Sequence, residues 1–189
     1  MSTVYRTSLG ALGEDAAAEE LRARGWDVIN LNHNKHNYPN CDLEVRKDGL
    51  LLRIQVKVCS VYSWVSAGGV NPAMCGGGPI FNRVLGYPAA EFILFLTPSA
   101  PVPKGTPPPA WRYFILPVSV AETLFRININ AYFNGMKLDG TPRIKKGACQ
   151  DFVGPGRFNS GTVPNHHEDY VPYEGRFDLL ETLAAEYRA

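Results

Sequence analysis

Outside its turn, a short hairpin stretch carries two acids, an amide and a lysine on two strands that otherwise read as largely hydrophobic. The stretch is CDLEVRKDGLLLRIQVKV, residues 41–58, in which apolar and polar residues alternate around an Asp-Gly pair typical of a tight hairpin turn. The first strand carries Asp42 and Glu44, and the second carries Gln55 and Lys57. Side chains two residues apart on a strand point to the same face. If the two faces coincide, carboxylate, amide oxygen and ammonium groups lie in one small volume.

These groups suit a magnesium site. Mg²⁺ prefers oxygen ligands in octahedral geometry and usually keeps several waters. Asp42 can supply the anchoring carboxylate, and the Gln55 side-chain oxygen and the Val56 carbonyl can complete the protein's share. Lys57 beside such a metal could orient an attacking water or stabilise the charge on a pentacovalent phosphate. The same residues also fit a surface hairpin with solvated polar side chains, which is common in antiparallel sheets.

A preceding helix adds a further acid. Residues 8–24 read as a helix that Ser8 caps and Gly25 ends. Glu14 falls at the edge of its apolar stripe, from which it could face the hairpin. The residues predicted to form that buried stripe are Leu9, Leu12, Ala16 and Leu21.

The remaining elements follow the order of an α/β fold. We predict strands at 26–31, 91–97 and 111–118, and the second of these is apolar from 92 to 96, as expected of a central strand. Ser119 is predicted to cap a helix that ends at about Phe125. A last amphipathic helix closes the chain, with one face formed by Phe177, Leu180, Leu183, Ala184 and Tyr187.

Composition indicates one folded domain over residues 1–189, with a core at about 8–125 and an irregular extension, 126–189, that ends in a helix. Hydrophobic residues make up 45% of the chain, enough to bury a core. The first twenty residues lack a long apolar segment and no apolar run reaches about 18 residues, so we expect neither a signal peptide nor a membrane span. Four widely spaced cysteines without a CxxC pair favour reduced thiols and a cytoplasmic location.

Taken in order, these features resemble the core of the PD-(D/E)XK nuclease superfamily. The shared order is a helix with Glu14, a strand, Asp42 at the head of the next strand, and Gln55-Val56-Lys57 on its hairpin partner. The hairpin is most similar to the branch in which glutamine replaces the second acid, as in Mrr-like restriction endonucleases and intron-encoded homing endonucleases. The resemblance covers roughly residues 8–125. It implies a restriction-endonuclease-like α/β fold, with a mixed central sheet flanked by helices.

The resemblance further implies a metal-dependent endonuclease that hydrolyses DNA phosphodiester bonds with Mg²⁺, which Mn²⁺ can replace. Asp42 would be the main metal ligand and Gln55 the second ligand. Lys57 would orient the water and stabilise charge, and Glu14 would be an outer or water-mediated ligand. Because cleavage of both strands of a duplex usually needs two active sites, we expect a dimer or larger assembly.

The chain departs from the family pattern in two ways. The proline that precedes the acid in the family is displaced to Pro39, and Gln55 brings no charge, so the site should hold metal more weakly unless Glu44 also reaches the ion. The uncharged Gln55 and a net charge of +1 leave a second hypothesis open: a degenerate nuclease fold that acts as a DNA-binding or protein-interaction module. A third is an unrelated α/β domain whose polar hairpin is coincidental.

Several other residues are weaker candidates. His33, His36 and Cys41 could form part of a zinc site, or lie in a loop near the phosphate backbone. The basic turn at 140–147, GTPRIKKG, is the best local candidate for phosphate contacts. The basic residues of that turn are Arg143, Lys145 and Lys146.

Two further segments are predicted to be loops. The glycines at 68–69 and 76–78 are expected in a mobile loop that could close over a substrate, because no Gly-Lys-Ser/Thr follows to make a P-loop. His166-His167-Glu168-Asp169 reads most simply as a solvated loop.

Overall fold

The chain folds in a computed structural model as a five-stranded mixed β-sheet with helices on both faces, and a smaller two-stranded sheet packs beside it. This confirms the predicted α/β class with a mixed central sheet. The structure describes residues 3–33, 37–70, 72–74, 76–103, 105–136, 139–142, 147–154 and 166–186.

The element bounds are as follows. The helices are α1 (Thr3–Ala23), α2 (Val118–Asn134), α3 (His167–Tyr170) and α4 (Leu179–Glu186). The strands are β1 (Asp27–Asn30), β2 (Leu43–Lys47), β3 (Leu50–Val58), β4 (Trp64–Val70), β5 (Phe92–Pro98), β6 (Trp111–Pro117) and β7 (Gly147–Phe152).

The large sheet has the strand order β1-β2-β3-β5-β6, and β4 pairs with β7 in the small one. Strands β3 and β5 run parallel, whereas the other neighbours in the large sheet are antiparallel. The predicted hairpin is β2–β3, and its turn residues Asp48 and Gly49 take φ values of 49° and 76°. Positive φ at both positions is what a two-residue hairpin turn of type I′ requires, so the Asp-Gly prediction is confirmed.

Strand β5 is buried along its whole length, which explains its apolar run at 92–96. Phe92, Leu94 and Leu96 face the cluster that packs under α1. Ile93 and Phe95 face the second cluster, which includes the buried side of α2. The sheet therefore separates two hydrophobic layers, and β3 lies between β2 and β5 at its centre.

Helix α1 begins at Thr3, so Ser8 is an interior residue and not the predicted N-cap. The predicted end is confirmed, because the helix stops at Ala23 and Gly25 takes a φ of 84°. The predicted stripe was partly wrong, since Leu12 is 44% exposed. The buried stripe is instead centred on small residues that let the helix approach β3, and it comprises Leu9, Gly13, Ala17, Ala18 and Leu21.

Helix α2 corrects two further expectations. It begins at Val118, with Pro117 rather than Ser119 at the N-cap position, and the Val118 N–H donates to the Glu91 carbonyl. It continues to Asn134, well past Phe125, because the apolar repeat continues onto the buried side. The residues that continue the repeat are Phe125, Ile129 and Phe133.

The small sheet was not predicted: part of β4 falls in the predicted glycine loop, and β7 falls in the predicted irregular extension. Gly68 and Gly69 belong to strand β4 and not to the predicted loop, since they pair with β7 across a register shift. The glycines at 76–78 lie in a turn after a short 3₁₀ segment. Glycine has a low strand propensity, which explains why the sequence pattern did not indicate β4.

A buried polar network lies behind β7. The Asp151 carboxylate accepts hydrogen bonds from the Asn128 amide and from the Tyr170 hydroxyl at 2.9 Å. His166 is buried and its Nδ1 lies 2.9 Å from Asp169, so the predicted solvated loop is wrong for this histidine. Helix α3 follows at once and buries Tyr170. No helix in the described part of the chain combines the length and apolar character needed to cross a membrane.

Candidate active site

Asp42 lies just before β2, and its carboxylate is fixed to the neighbouring strand β3. The Val56 N–H donates to Asp42 Oδ2 at 2.7 Å. This donor is available because the β2–β3 ladder ends at the Leu43–Ile54 pair, whereas β3 runs on to Val58. The Val56 carbonyl turns to the same edge as its N–H, since both groups of a strand residue point to one side.

A single asparagine joins this carboxylate to α1. The Asn32 side-chain amide donates to Asp42 Oδ1 at 2.8 Å and to Glu14 Oε2 at 3.1 Å. The Asn32 side-chain oxygen accepts the Tyr38 N–H at 2.6 Å, and the Asn32 backbone N–H donates to the Asn30 side-chain oxygen at 3.0 Å. The loop after β1 thus holds one amide between two carboxylates. Sequence reasoning missed Asn32, for which the only signal was an Asn/His-rich loop ahead of the hairpin.

The three charged groups of the site influence one another. Burial raises the pKa of the Asp42 carboxyl, although the Lys57 ammonium and the hydrogen bonds from Val56 and Asn32 oppose this. Burial also raises the pKa of Glu14, and the negative charge of Asp42 adds to that effect. Burial lowers the pKa of Lys57 against the pull of Asp42. Acids with raised pKa values beside a lysine with a lowered one are suited to proton transfer.

Gln55 presents an unused acceptor on the same strand. Its Oε1 is buried and accepts no hydrogen bond from the described residues. A buried amide oxygen without a partner costs free energy, so one is expected where a ligand or ion supplies the missing contact. This oxygen, the carboxylates of Asp42 and Glu14 and the Val56 carbonyl are all oxygen groups of the kind that Mg²⁺ takes. These residues therefore fit the predicted metal in ligand chemistry.

Lys57 lies between two cavities. The larger, about 610 Å³, is lined by Glu14, Val56 and part of β4. The smaller, about 300 Å³, is lined by Gln55 and by the segment 80–84. Both are lined by Lys57 and by the paired glycines at 68–69. The cavities thus meet at Lys57, with the glycine part of β4 as a common wall.

Arg83 is a second basic residue of the smaller cavity, and sequence reasoning missed it. Its positive charge lowers the pKa of Lys57, after the larger effects of burial and Asp42. It lies in a segment without regular structure between β4 and β5, where hydrophobic periodicity provides no signal.

The other predicted residues lie apart from this arrangement or outside the described chain. Glu44 forms an ion pair with Arg46 at 2.6 Å. His33 is exposed and lies 3.0 Å from Asp15. Burial raises the pKa of Cys41 to about 11, which disfavours the thiolate that zinc requires. Across the described residues no three His, Cys, Asp or Glu side chains cluster as a metal site. The predicted residues that fall outside the described ranges are His36, Arg143, Lys145 and Lys146.

No protein-family model matches the chain, and no curated protein sequence matches it either. Among solved structures, the chain is similar to a bacterial homing endonuclease, I-Ssp6803I, with 13% sequence identity and a TM-score of 0.47. That similarity covers 95% of this chain and 94% of the other.

Proposed function

We propose that this protein is a metal-dependent endonuclease that hydrolyses DNA phosphodiester bonds. The observation that carries the proposal is the arrangement around Asn32, whose one amide binds the carboxylates of both Glu14 and Asp42 at the cleft where Lys57 lies. Two acids and a lysine whose charges influence one another are what phosphodiester hydrolysis with a divalent ion needs. The choice of DNA as substrate follows the resemblance of the sequence to the PD-(D/E)XK superfamily.

Magnesium is the proposed cofactor, with manganese as a substitute. Asp42, Gln55 and the Val56 carbonyl would hold the ion, with Glu14 as an outer or water-mediated ligand. When bound, Mg²⁺ supplies Lewis-acid activation and neutralises phosphate charge. The unpartnered Gln55 oxygen supports this assignment, because an ion would satisfy it.

Lys57 is the proposed water-orienting and charge-stabilising residue. Its ammonium is partly buried, and Asp42 acts on it more strongly than Glu14 does. A cation in a partly buried cleft stabilises developing negative charge on a phosphate more than the same cation in water. The lowered pKa also makes its proton easier to transfer.

A nicking assay on supercoiled plasmid and on single-stranded DNA, in Mg²⁺, in Mn²⁺ and in EDTA, tests the proposal. We expect cleavage in either metal and none in EDTA. Asp42→Asn should abolish cleavage, since it keeps the shape and an acceptor for Val56 but removes the charge. Asp27→Asn, at an exposed position on β1, is the matched control and should cut like the wild type.

One observation favours a second candidate, a nuclease fold that binds DNA without cutting it. Both Asp42 oxygens accept hydrogen bonds from the protein itself, so this carboxylate is satisfied without an ion. Binding of the same DNA with no cleavage in either metal is the result that would select this candidate.

A further inference from the structure

Each residue next to Arg83 takes part in a pair of hydrogen bonds between an asparagine side chain and a backbone, here called an asparagine clamp. The Asn82 side chain makes two hydrogen bonds with the backbone of Ala90, at 3.0 and 2.8 Å. The Asn40 side chain makes two with the backbone of Val84, at 2.8 and 3.0 Å. In each pair the amide side chain donates to the backbone carbonyl and accepts from the backbone N–H of one residue, as a neighbouring β-strand would, and this fixes the backbone there. Arg83 therefore projects from a positioned segment, although that segment has no regular secondary structure.

The same segment is tied to α2 on its other side. The Glu122 carboxylate accepts the N–H groups of Ile80 and Phe81 at 3.1 and 3.3 Å. The Arg83 Nε donates to the Ile80 carbonyl, which uses one of the five guanidinium N–H groups. The Nη groups make no hydrogen bond with any described residue. The outer fork of the guanidinium is thus held in place with its donors available.

Two cations share the smaller cavity, and none of the described residues that line it is acidic. Arg83 and Lys57 both line it, together with Gln55, whose Oε1 has no hydrogen-bond partner among the described residues. Burial lowers the pKa of Arg83, against the opposing effect of the Glu122 charge, so the cavity disfavours an uncompensated positive charge at this position. An anionic ligand would relieve this. A guanidinium fork matches phosphate geometry better than an ammonium does.

We infer that Arg83 binds the phosphate next to the one that is cleaved and so holds the substrate strand across Lys57. The inference rests on the proposed function and deepens it by assigning a path: the strand lies along the larger cavity, passes Lys57 and continues into the smaller cavity to Arg83. Arg83 is then a positioning residue and not a catalytic one.

The wall opposite Lys57 fits such a path. A Cβ added at Gly69 would have no neighbour within 4 Å, and Gly69 lines both cavities. A nucleic-acid backbone can therefore approach the strand closely there. Gly69→Leu would extend an apolar side chain into this open space, whereas Gly69→Ala would add only one methyl group.

Steady-state cleavage of a labelled duplex over a range of salt concentrations tests the inference. For Arg83→Ala we expect KM to rise on the order of 10-fold with kcat changed little. The slope of log kcat/KM against log salt should become shallower by about one, which corresponds to the loss of one phosphate contact. Arg83→Lys keeps the charge, so it should keep the salt slope while KM rises in part. Arg46→Ala, which removes an exposed arginine paired with Glu44, is the matched control and should leave both quantities unchanged.

The outcomes separate the inference from the function beneath it. If the wild type cleaves and Arg83→Ala has the KM and salt slope of the wild type, the inference is wrong while the proposed function stands. If the wild type neither binds nor cleaves DNA, both fall together. Should Arg83→Ala fail to fold, Arg83→Lys and Gly69→Leu decide: wild-type KM in both overturns the inference, and raised KM in both supports it.

Discussion

The backbone N–H of Val56 donates a hydrogen bond of 2.7 Å to the carboxylate of Asp42, across the point where the β2–β3 ladder ends. Val56 is the middle residue of the Gln-Val-Lys run, so this contact ties Asp42 to the strand that carries Gln55 and Lys57. The relative positions of the three side chains therefore depend mainly on the hairpin backbone. That dependence is why the hairpin sequence alone pointed to them.

Asn32→Asp should destabilise the metal-free protein and increase its response to metal. The change replaces a donor that joins Glu14 and Asp42 with a third carboxylate beside them. Like charges at this distance repel, and loss of a bonded donor to buried acceptors costs about 1–3 kcal/mol. Thermal unfolding in EDTA and in excess Mg²⁺ measures both effects, with a larger gain in Tm on adding Mg²⁺ than the wild type shows. Equal Tm values for variant and wild type in EDTA would contradict the assignment of Asn32.

Gln55→Glu should lower the Mg²⁺ concentration needed for half-maximal cleavage, because it adds a negative ligand where the wild type has a neutral one. Gln55→Ala is the paired variant and should raise the Mg²⁺ requirement. A metal titration of cleavage rate checks this, and identical curves for all three proteins would exclude Gln55 as a ligand.

Gly13→Ala should destabilise the fold by about 1–3 kcal/mol through overpacking. A Cβ at Gly13 would overlap Cγ2 of Val58, so either the Val58 side chain or α1, which carries Glu14, would have to shift. Gly10→Ala is the control on the same helix: its Cβ meets nothing within 4 Å, and alanine should stabilise the helix by about 0.5–1 kcal/mol.

Chemical denaturation measures both substitutions. Adding Val58→Ala removes the clashing methyl groups, and a double-mutant cycle should therefore show a favourable coupling between positions 13 and 58. Equal destabilisation by Gly13→Ala in the presence and absence of Val58→Ala would show that close approach of α1 is not the cause.

The sequence predicted the elements in which one physical signal dominates. The Asp-Gly pair and strict alternation predicted β2–β3, and an unbroken apolar run predicted β5. The stripe of α1 was partly mispredicted because its centre is made of Gly13 and Ala17, whose small side chains matter for close packing and add little hydrophobicity. Strand β4 was missed for a related reason, since its glycines suppress the strand signal.

The candidate site was predictable in part for the same reason. Asp42, Gln55 and Lys57 share a regular hairpin, so their spacing carries geometric meaning. Asn32 and Arg83 lie in segments whose shape is set by tertiary hydrogen bonds, Asn32 by its contact with Tyr38 and Arg83 by the two asparagine clamps. No local periodicity encodes such contacts, which is why neither residue could be placed from the sequence.

Stability should fall as pH rises from about 4 to 6 in part because of Asp151. Burial raises its pKa from 3.8 to about 6, although Asn128 and Tyr170 donate hydrogen bonds to it. The folded state therefore keeps this proton at pH values where the unfolded chain has released it. The free energy of unfolding then falls as pH rises through that window and becomes constant above it.

Asp151→Asn should remove this fall in the free energy of unfolding, which amounts to about 3 kcal/mol at most. Asparagine can keep an acceptor for Asn128 and turn its amide toward the Tyr170 hydroxyl, which is able to accept. Free energies of unfolding from denaturant titrations across the window provide the measurement, with the exposed Asp27→Asn as control. A wild-type curve superimposable on that of Asp151→Asn would show that Asp151 ionises normally.

Single-turnover cleavage of a labelled DNA duplex by wild type, Lys57→Ala and Lys47→Ala, at saturating Mg²⁺ and protein, tests the central claim most directly. Lys47 is the matched lysine of the same hairpin, and its ammonium forms an ion pair with Glu181 at 2.6 Å and not with Glu14 or Asp42. We expect Lys57→Ala to lose on the order of 10²–10⁴ in rate while still binding DNA, and Lys47→Ala to cleave like the wild type. Cleavage by Lys57→Ala at the wild-type rate would contradict the account.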